Sequence, residues 1–307
     1  MEPGPRFRIE RARLRLQQLS HIPAYLSGGR LSQPVFIVSA PRSGSQLVYQ
    51  ILRTSKRLTS WRPSEAHEVW EAEHHPALRR WTSNVLDESD LTPQAAARIR
   101  REFFLVAGAD KRLLDKTPRN ALRVPFVDAV FPDARYIFLQ RDGRDNVNSL
   151  INAWRSPRYR TYRLPEPHHI PGVDQAWWKF VLYPEWRSDA HGPLEVVCAK
   201  QWSIANSSIL RALGHIEDSR SVRLRYEDLI ERPVHEVARI LDFLELPYEA
   251  AVRARAEATA TTPVNVVTPP ERGKWRRENP TEIEAIEPLI APTMAILGYD
   301  GSRSGYR

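Results

Sequence analysis

The sequence is nearly free of cysteine and contains no long apolar run. Cys198 is the single cysteine among 307 residues, which excludes an internal disulfide. No N-terminal apolar stretch is long enough for a signal peptide or a membrane span. We therefore expect a cytoplasmic protein. The stretch "EAEHHP" and the pair His168 and His169 match no closed zinc site, so we expect no metal.

The composition is that of an ordinary soluble globular protein. Hydrophobic residues make up 42% of the chain and charged residues 27%, and 25 prolines indicate many irregular connections. The length suits a single domain over residues 1–307. A formal net charge of +8 favours an anionic partner, which could be nucleic acid, a membrane surface, an acidic acceptor or a polyanionic cofactor. The charge alone does not choose among these four.

The chain alternates between β-rich runs and helical patterns. The β-rich runs are 34–40, 112–116, 135–140 and 221–226. Apolar residues at helical spacing follow three of them: Leu47, Ile51 and Leu52; then Val147, Leu150, Ile151 and Trp154; then Val237, Ile240, Leu241 and Leu244. This order predicts an α/β fold with a parallel β-sheet flanked by helices, whose ligands bind at the carboxyl ends of the strands.

Two segments fall outside this alternation. Residues 6–19 interleave Ile9, Leu16 and Leu19 with five arginines, which predicts a basic helix packed on the domain, with contact to an acidic membrane surface as the alternative. Residues 155–196, approximately, lack periodicity but are rich in aromatic residues and arginine. We interpret them as a lid over the acceptor, the alternative being an ordered surface excursion packed by its own aromatic residues.

The stretch "APRSGSQLVYQIL" (40–52) joins the first predicted strand to a helix and forms an anion site in this interpretation. Such a loop directs backbone N–H groups and the positive end of a helix dipole at one point. It is not a Walker A loop, because Ser45 and Gln46 follow Gly44 where that motif needs lysine and a Mg²⁺-binding hydroxyl. Arg42 supplies a permanent cation, and Ser43 and Ser45 supply hydroxyls. A metal-free cradle suits a transferred group of low charge, such as sulfuryl.

A second loop follows the third strand, in "QRDGRDNVNSLINAW". Arg141 lies at the carboxyl end of the strand and Ser149 two helical turns further on, so both can reach one phosphate. Alone, this pattern is often only a polar turn. Together with the first loop, however, the pattern is specific enough to indicate a family.

The two loops together resemble the sulfotransferases that use 3′-phosphoadenosine 5′-phosphosulfate (PAPS). The resemblance extends through "LDKTPRN", "RLRYEDLIERP" and "ERGKW", over most of residues 34–300, and is most similar to the tyrosylprotein and bacterial carbohydrate branches. It implies a P-loop nucleotide-kinase-like sulfotransferase fold, PAPS as the cofactor and adenosine 3′,5′-bisphosphate (PAP) as the product.

The resemblance also implies roles for individual cofactor-binding residues. The loop around the 5′-phosphosulfate consists of Arg42, Ser43, Gly44, Ser45 and Gln46. Arg141 and Ser149 match the pair that holds the 3′-phosphate, and Tyr226 stands near adenine. Gly273 and Lys274 resemble a C-terminal loop that closes over the 3′-phosphate. Gln46 departs from the family's usual threonine.

Three catalytic roles follow from the same resemblance. Glu65 is expected to be the general base for the acceptor hydroxyl, with its pKa raised by a partly dry pocket, and Glu68 and His67 are its rivals. Lys116 matches the lysine near the leaving oxygen, and Arg42 provides the second cation. No divalent metal is implied.

The predicted function is therefore transfer of a sulfuryl group to a hydroxyl on a carbohydrate, glycolipid or natural product. The expected partner is a small-molecule, carbohydrate or lipid-linked acceptor, which allows a peripheral contact with a membrane surface, and no nucleic acid is expected. A phosphoryl transferase is the first alternative, although the loop lacks the P-loop lysine. A nucleic-acid-binding protein is the second, supported by the charge and by arginines among aromatics at 155–187.

Overall fold

The computed structural model describes residues 5–61, 65–260 and 271–299. Its centre is a five-stranded, wholly parallel sheet in the order β2-β3-β1-β4-β7, and a separate antiparallel pair is formed by β5 and β6. The strands are β1 (Val35–Val38), β2 (Leu58–Thr59), β3 (Arg112–Asp115), β4 (Arg135–Gln140), β5 (Tyr162–Arg163), β6 (Trp177–Trp178) and β7 (Ser221–Arg225).

Helices connect the strands and cover the sheet. The α-helices are α1 (Pro5–Leu26), α2 (Ser45–Leu52), α3 (His67–Trp70), α4 (Pro93–Ala107), α5 (Val124–Val130), α6 (Gly143–Arg155), α7 (Trp186–Asp189), α8 (Leu194–Leu213), α9 (Tyr226–Glu231), α10 (Pro233–Phe243), α11 (Ala250–Glu257), α12 (Trp275–Glu278) and α13 (Pro280–Leu297). Short 3₁₀ helices span Pro76–Arg79, Glu88–Asp90, Pro118–Leu122, Asp218–Arg220 and Ala258–Ala260.

The middle of the sheet is buried on both faces. All four side chains of β1 are buried, and Val35 pairs with Leu114 on one side and Arg135 on the other. Alternate residues serve two hydrophobic cores: Phe36 packs with the α4, α5 and α8 side, and Ile37 with α2 and α10. Continuous burial is typical of parallel strands. The predicted α/β class with a parallel sheet is confirmed.

All four predicted strands are present, close to their expected bounds. The three predicted helical stripes belong to α2, α6 and α10, where their residues are buried. The sequence analysis missed β2, β5 and β6, because two residues are too short to show periodicity. The single cysteine, Cys198, is fully buried in α8, and burial raises the pKa of its thiol well above the ordinary value.

The basic N-terminal segment is a helix that packs on the domain, as predicted. In α1, Leu14 is buried, Gln17 Nε2 donates to the carbonyl of Val106 at 2.6 Å, and His21 Nδ1 donates to that of Leu105 at 2.8 Å. The face that makes these contacts was not anticipated. The apolar stripe noted in the sequence points to solvent instead. Among the described helices, none has the length and apolar character needed to cross a membrane.

The aromatic segment at 155–196 is built into the main hydrophobic core. Its β5–β6 pair places Tyr162 opposite Trp178, and four of its aromatic side chains are buried: Tyr162, Trp178, Tyr183 and Trp186. Glu71 accepts a hydrogen bond from the Tyr162 hydroxyl at 2.9 Å and from Arg119 at 2.6 Å, which ties the segment to the core. These buried rings are unavailable for stacking on an acceptor. Closure of the segment over an acceptor stays a prediction.

Candidate active site

The first predicted anion loop lies between β1 and α2, and its backbone leaves the usual conformational range. Arg42 has φ 69° and Gly44 has φ 100°, both in the left-handed region. A Cβ at Gly44 would come within 2.4 Å of the Tyr226 ring, so only glycine fits there. Helix α2 starts immediately afterwards, and its first-turn N–H groups open onto the loop. The strained loop thus presents backbone donors at the carboxyl edge of the sheet.

The second predicted loop meets the first. Arg141 Nη1 donates to the carbonyl of Arg42 at 3.0 Å, and the Arg141 guanidinium lies 4.7 Å from the centre of the Tyr226 ring. Arg42 Nε donates to Ser149 Oγ at 3.4 Å. The four residues that the resemblance placed around one nucleotide, Arg42, Arg141, Ser149 and Tyr226, are therefore together in the fold.

The serines of the first loop differ in what they contact. Ser43 is buried, and its Oγ lies 2.7 Å from the side-chain amide of Asn146 on α6. Ser43 thus fastens one anion loop to the helix that follows the other. Ser45 opens α2 and is only half-buried, as is Gln46. Both remain accessible to a ligand.

The donors at this edge fit a phosphate-bearing cofactor. Within the described chain, Arg141 Nε and Gln140 Nε2 are buried at the end of β4 and have no hydrogen-bond partner. Buried donors without partners are costly, and an anion offers both of them an acceptor. Together with the Arg42 loop they form a cationic, donor-rich site of the kind that a nucleotide bisphosphate requires.

The predicted C-terminal loop contacts helix α6, which follows the second anion loop. Gly273 N donates to Asp145 Oδ2 on α6 at 2.9 Å, and Lys274 Nζ lies 3.1 Å from Glu278. Glu278 in turn accepts from Asn148, the neighbour of Ser149, at 2.9 Å. The loop is thus anchored beside the predicted 3′-phosphate site. A direct role of Lys274 toward that phosphate stays a prediction, because its ammonium is paired with a carboxylate.

A second polar group contains two residues that the resemblance assigns to catalysis, Glu65 and Lys116. Lys116, directly after β3, donates a hydrogen bond to Glu65 Oε1, and His67 Nε2 donates to Glu65 Oε2 at 2.7 Å. Glu68 is directed elsewhere, since it pairs with Arg11 and accepts from Trp61 Nε1. Of the candidate bases, Glu65 is therefore the carboxylate held beside the predicted leaving-oxygen lysine.

The electrostatics of Glu65 differ from the expectation. Burial alone would raise its pKa, but the charge of Lys116 and the hydrogen bond and charge of His67 lower that pKa to about 2. The expected upward shift is thus wrong, because the sequence did not reveal how closely the lysine pairs with the carboxylate. Burial lowers the pKa of His67, so its imidazole is neutral near pH 7 and acts as a hydrogen-bond donor to Glu65.

Asp115 is a buried carboxylate that the sequence analysis missed. It accepts hydrogen bonds from Trp70 Nε1 at 3.2 Å, from Thr117 Oγ1 at 3.0 Å and from Asn120 Nδ2 at 3.0 Å. Burial raises its pKa to about 6. Its position at the end of a strand and next to Lys116, in "LDKTPRN", was the available signal. These contacts fix the strand end that carries Lys116.

A cavity of about 140 Å³ extends from the Glu65–Lys116 pair to Gln46 at the end of the anion loop. It is lined by Glu10, Gln46, Tyr49, Arg53, Ser60, Trp61, Glu65, Leu114, Asp115 and Lys116. Gln46 ends the anion loop, so the predicted phosphosulfate site and the Glu65–Lys116 pair open on one space. The Arg42 side chain takes a different direction: Nη1 donates to the Tyr159 hydroxyl at 2.9 Å. Its catalytic role stays a prediction, whereas its contact with Ser149 places it near the 3′-phosphate side.

Among the described residues, no group of three or more His, Cys, Asp or Glu side chains is arranged to hold a metal ion. The buried carboxylates are engaged with basic or amide partners instead. Glu71, for example, forms salt bridges with both Arg119 and Arg123.

Comparison with known proteins agrees with this geometry. A model of the sulfotransferase family matches residues 34–250, which include both anion loops and the Glu65–Lys116 pair. The chain belongs to the sulfotransferase family. The predicted family is thereby confirmed. A protein-tyrosine sulfotransferase of Drosophila melanogaster is 22% identical over 328 residues, covering 98% of this chain. The chain spans only 60% of that relative's length.

Solved sulfotransferases share the fold. The sulfotransferase STF9 of Mycobacterium avium aligns with a TM-score of 0.58 at 17% identity, covering 92% of this chain and 81% of the other. The mouse sulfotransferase SULT7A1, solved in complex with PAP, aligns with a TM-score of 0.50 at 15% identity, covering 91% and 90%. The predicted sulfotransferase fold is confirmed.

Proposed function

We propose that this protein transfers a sulfuryl group from PAPS to a hydroxyl acceptor. The observation that carries the proposal is the shared cavity, in which Gln46 of the anion loop faces the same space as Glu65 and Lys116. A transferred group held at the loop would therefore lie between its donor and the group that accepts the acceptor's proton.

The cofactor would be held by the residues at the carboxyl edge of the sheet. The α2 amides, Ser45 and Gln46 face its 5′-phosphosulfate, and Arg141, Ser149 and Arg42 face its 3′-phosphate. Tyr226, whose ring packs on Gly44, fits beside the adenine. When bound, PAPS supplies an activated sulfuryl group whose single negative charge needs less neutralisation than a phosphoryl group.

In the proposed transfer, Glu65 accepts the proton of the acceptor hydroxyl, and Lys116 stabilises the negative charge that develops on the leaving oxygen. Lys116 Nζ has three N–H donors, so it can bond Glu65 and also direct an N–H at the leaving oxygen. As negative charge grows on that oxygen, the hold of Lys116 on Glu65 weakens, and burial then increases the proton affinity of the carboxylate. Glu65 would thus become a better base at the moment when the acceptor hydroxyl loses its proton.

We propose a polyhydroxylated acceptor of the carbohydrate, glycolipid or natural-product class. The cavity combines the half-buried Tyr49 ring with many polar groups, which suits contact with a sugar ring and hydrogen bonding to its hydroxyls. The second candidate is a tyrosine side chain, favoured by the name of the fruit-fly relative.

A transfer assay with labelled PAPS against panels of sugars, glycolipids, phenols and tyrosine peptides tests the proposal. We expect transfer to at least one sugar-bearing acceptor and full activity in excess EDTA, since arginine and lysine supply the positive charge. If label is transferred only to tyrosine peptides, the proposed carbohydrate-type acceptor is wrong and the tyrosine side chain takes its place. Binding of PAP without transfer to any hydroxyl would contradict the proposed reaction, and loss of activity on chelation would contradict its metal independence.

A further inference from the structure

The N-terminal helix α1 packs on the domain with its less apolar face. Leu14, Gln17 and His21 contact the domain, whereas four large apolar residues of the helix face outward: Ile9, Leu16, Leu19 and Leu26 are 53%, 68%, 61% and 78% exposed. At about 100° per residue these four positions fall within about 100° of one another, so they form one continuous stripe. We call them the outer stripe.

The outer stripe is unusual for a helix that covers a core. An amphipathic helix of a soluble domain normally turns its apolar stripe inward, because burial of each large aliphatic side chain is favourable. Scattered exposed apolar side chains need no explanation, but four on one face of one helix form an apolar patch of the kind that marks an interaction site. A partner that removes this stripe from water would therefore gain apolar burial without disturbing the contacts between α1 and α4.

The charges of α1 indicate the nature of that partner. The helix contains five arginines and a single acidic residue, Glu10. Arg13 and Arg15 are exposed, and their positions lie on either side of the outer stripe. Apolar side chains flanked by arginines on both sides are the arrangement of a helix that lies in the interface of a bilayer, where the long basic side chains reach anionic headgroups. The net charge of +8 adds a general attraction to the same surface.

We propose that α1 is a docking surface for an anionic lipid bilayer. The outer stripe inserts among the acyl chains at the headgroup boundary, and Arg13 and Arg15 bind lipid phosphates. The inward side of the same helix contributes Glu10 to the wall of the acceptor cavity. A bilayer bound to α1 is therefore about one helix diameter, ~10 Å, from that cavity, which would let the protein act on hydroxyls displayed at a membrane surface.

The test is co-sedimentation of the full chain with vesicles of phosphatidylcholine alone or mixed with phosphatidylglycerol. We expect binding to the mixed vesicles, little binding to phosphatidylcholine alone, and weakening by salt because exposed charges are screened. The double variant Leu16→Glu, Leu19→Glu should reduce partitioning at least about tenfold, since it removes two aliphatic groups and adds two charges to the inserted face. A second variant, Arg13→Ala with Arg15→Ala, should reduce the preference for the anionic lipid, because three arginines of α1 and the remaining net positive charge stay in place.

Leu78→Glu is the matched control, because Leu78 is 66% exposed but lies outside α1 in a 3₁₀ helix. It should bind vesicles like the wild type. All variants should keep the wild-type thermal shift with PAP, which reports folding and the cofactor site independently of lipid. Equal vesicle binding by wild type and the Leu16→Glu, Leu19→Glu variant would overturn the proposal. So would absence of binding to anionic vesicles, or a wild-type dimer in light scattering that the double variant abolishes, which would assign the outer stripe to a second copy of the chain.

Discussion

The cofactor side and the acceptor side of the site are constructed in different ways. On the cofactor side, Arg42 and Arg141 each follow a strand of the sheet closely, and the parallel register of β1 and β4 brings the two loops together. On the acceptor side, Glu65 is held by Lys116, a residue 51 positions away, and the cavity wall includes Glu10 from the N-terminal helix. The first arrangement follows from strand ends, and the second depends on long-range ion pairs.

Because of this difference, we expect nucleotide binding and the transfer step to depend on different residues. Damage to the cofactor side should weaken the affinity for the nucleotide, whereas damage to the acceptor side should slow turnover and leave that affinity unchanged. The variants below test the separation, and each is paired with a chemically matched substitution.

The largest effect is expected on the acceptor side, for Glu65→Gln. The amide keeps the size of the side chain but cannot take the acceptor's proton, so kcat should fall by about 10² to 10⁴. The affinity for PAP, measured by calorimetry, should hardly change. Glu68→Gln, three residues away and bonded to Arg11 and Trp61, should be mild. Normal turnover in Glu65→Gln together with a collapse in His67→Ala would move the role of base to the imidazole.

Lys116→Met should lower kcat by about 10² to 10³, because it removes the donor that we propose for the leaving oxygen. It should also change the pH profile. Lys116 is the largest of the causes that lower the pKa of Glu65 to about 2, so that pKa should rise when the lysine is removed, although His67 still lowers it. The acid limb of kcat/KM should therefore move to higher pH. Lys111→Met, at an exposed lysine before β3, is the control. An unshifted acid limb would exclude Glu65 as the titrating base.

On the cofactor side, Arg141→Ala should weaken PAP binding by about 10²-fold, the scale for removing one partner of a buried charge pair. Wild-type protein at a hundredfold excess over Kd should gain ~2.7 kcal/mol of stability from PAP, and much less from ATP, which lacks a 3′-phosphate. Thermal unfolding measures both quantities. Arg144→Ala should keep the PAP shift, since Arg144 pairs with Asp142. Equal shifts with PAP and ATP would contradict the assignment of Arg141 and Ser149 to a 3′-phosphate.

The smallest effect is expected for Tyr159→Phe. This variant removes the hydroxyl that accepts from Arg42 but keeps the ring, 4.9 Å from the guanidinium. Loss of one hydrogen bond of this kind corresponds to roughly a two- to tenfold weaker binding of PAP. Tyr248→Phe, whose hydroxyl donates to the carbonyl of Val234, should have no effect on PAP. A loss as large as that of Arg141→Ala would show that the aromatic segment, and not the strand ends alone, forms the cofactor side.

Much of the fold and of the cofactor side could be predicted from the sequence, because local patterns determine both. The continuous apolar run of β1 and the stripe of α6 can be read directly, and Gly44 is required where Tyr226 meets the loop. Sequence pattern does not reveal a pair such as Glu65 and Lys116, whose geometry depends on how β3 and a distant connection meet. The prediction that the pKa of Glu65 is raised was wrong for that reason.

The aromatic segment and α1 show that a sequence pattern does not reveal whether apolar side chains face the core or the solvent. The tryptophans and tyrosines at 155–196 predicted a surface for an acceptor, yet Trp178 and Tyr183 complete the core, where the rings find more apolar contact. The sequence predicted that α1 packs on the domain but not which of its faces does so, and Leu14 alone among its leucines is deeply buried. Periodicity identifies an apolar face but not the partner against which it packs.

The inertness of Cys198 has a practical consequence. Its thiol is fully buried in α8 and has a pKa well above the ordinary value, so it offers almost no thiolate to an alkylating reagent. A cysteine introduced at an exposed position, such as Leu26→Cys at the end of α1, would then be the one readily labelled site. Spin labels or fluorophores can be attached there without removing a native thiol, which makes the orientation of α1 directly measurable by spectroscopy.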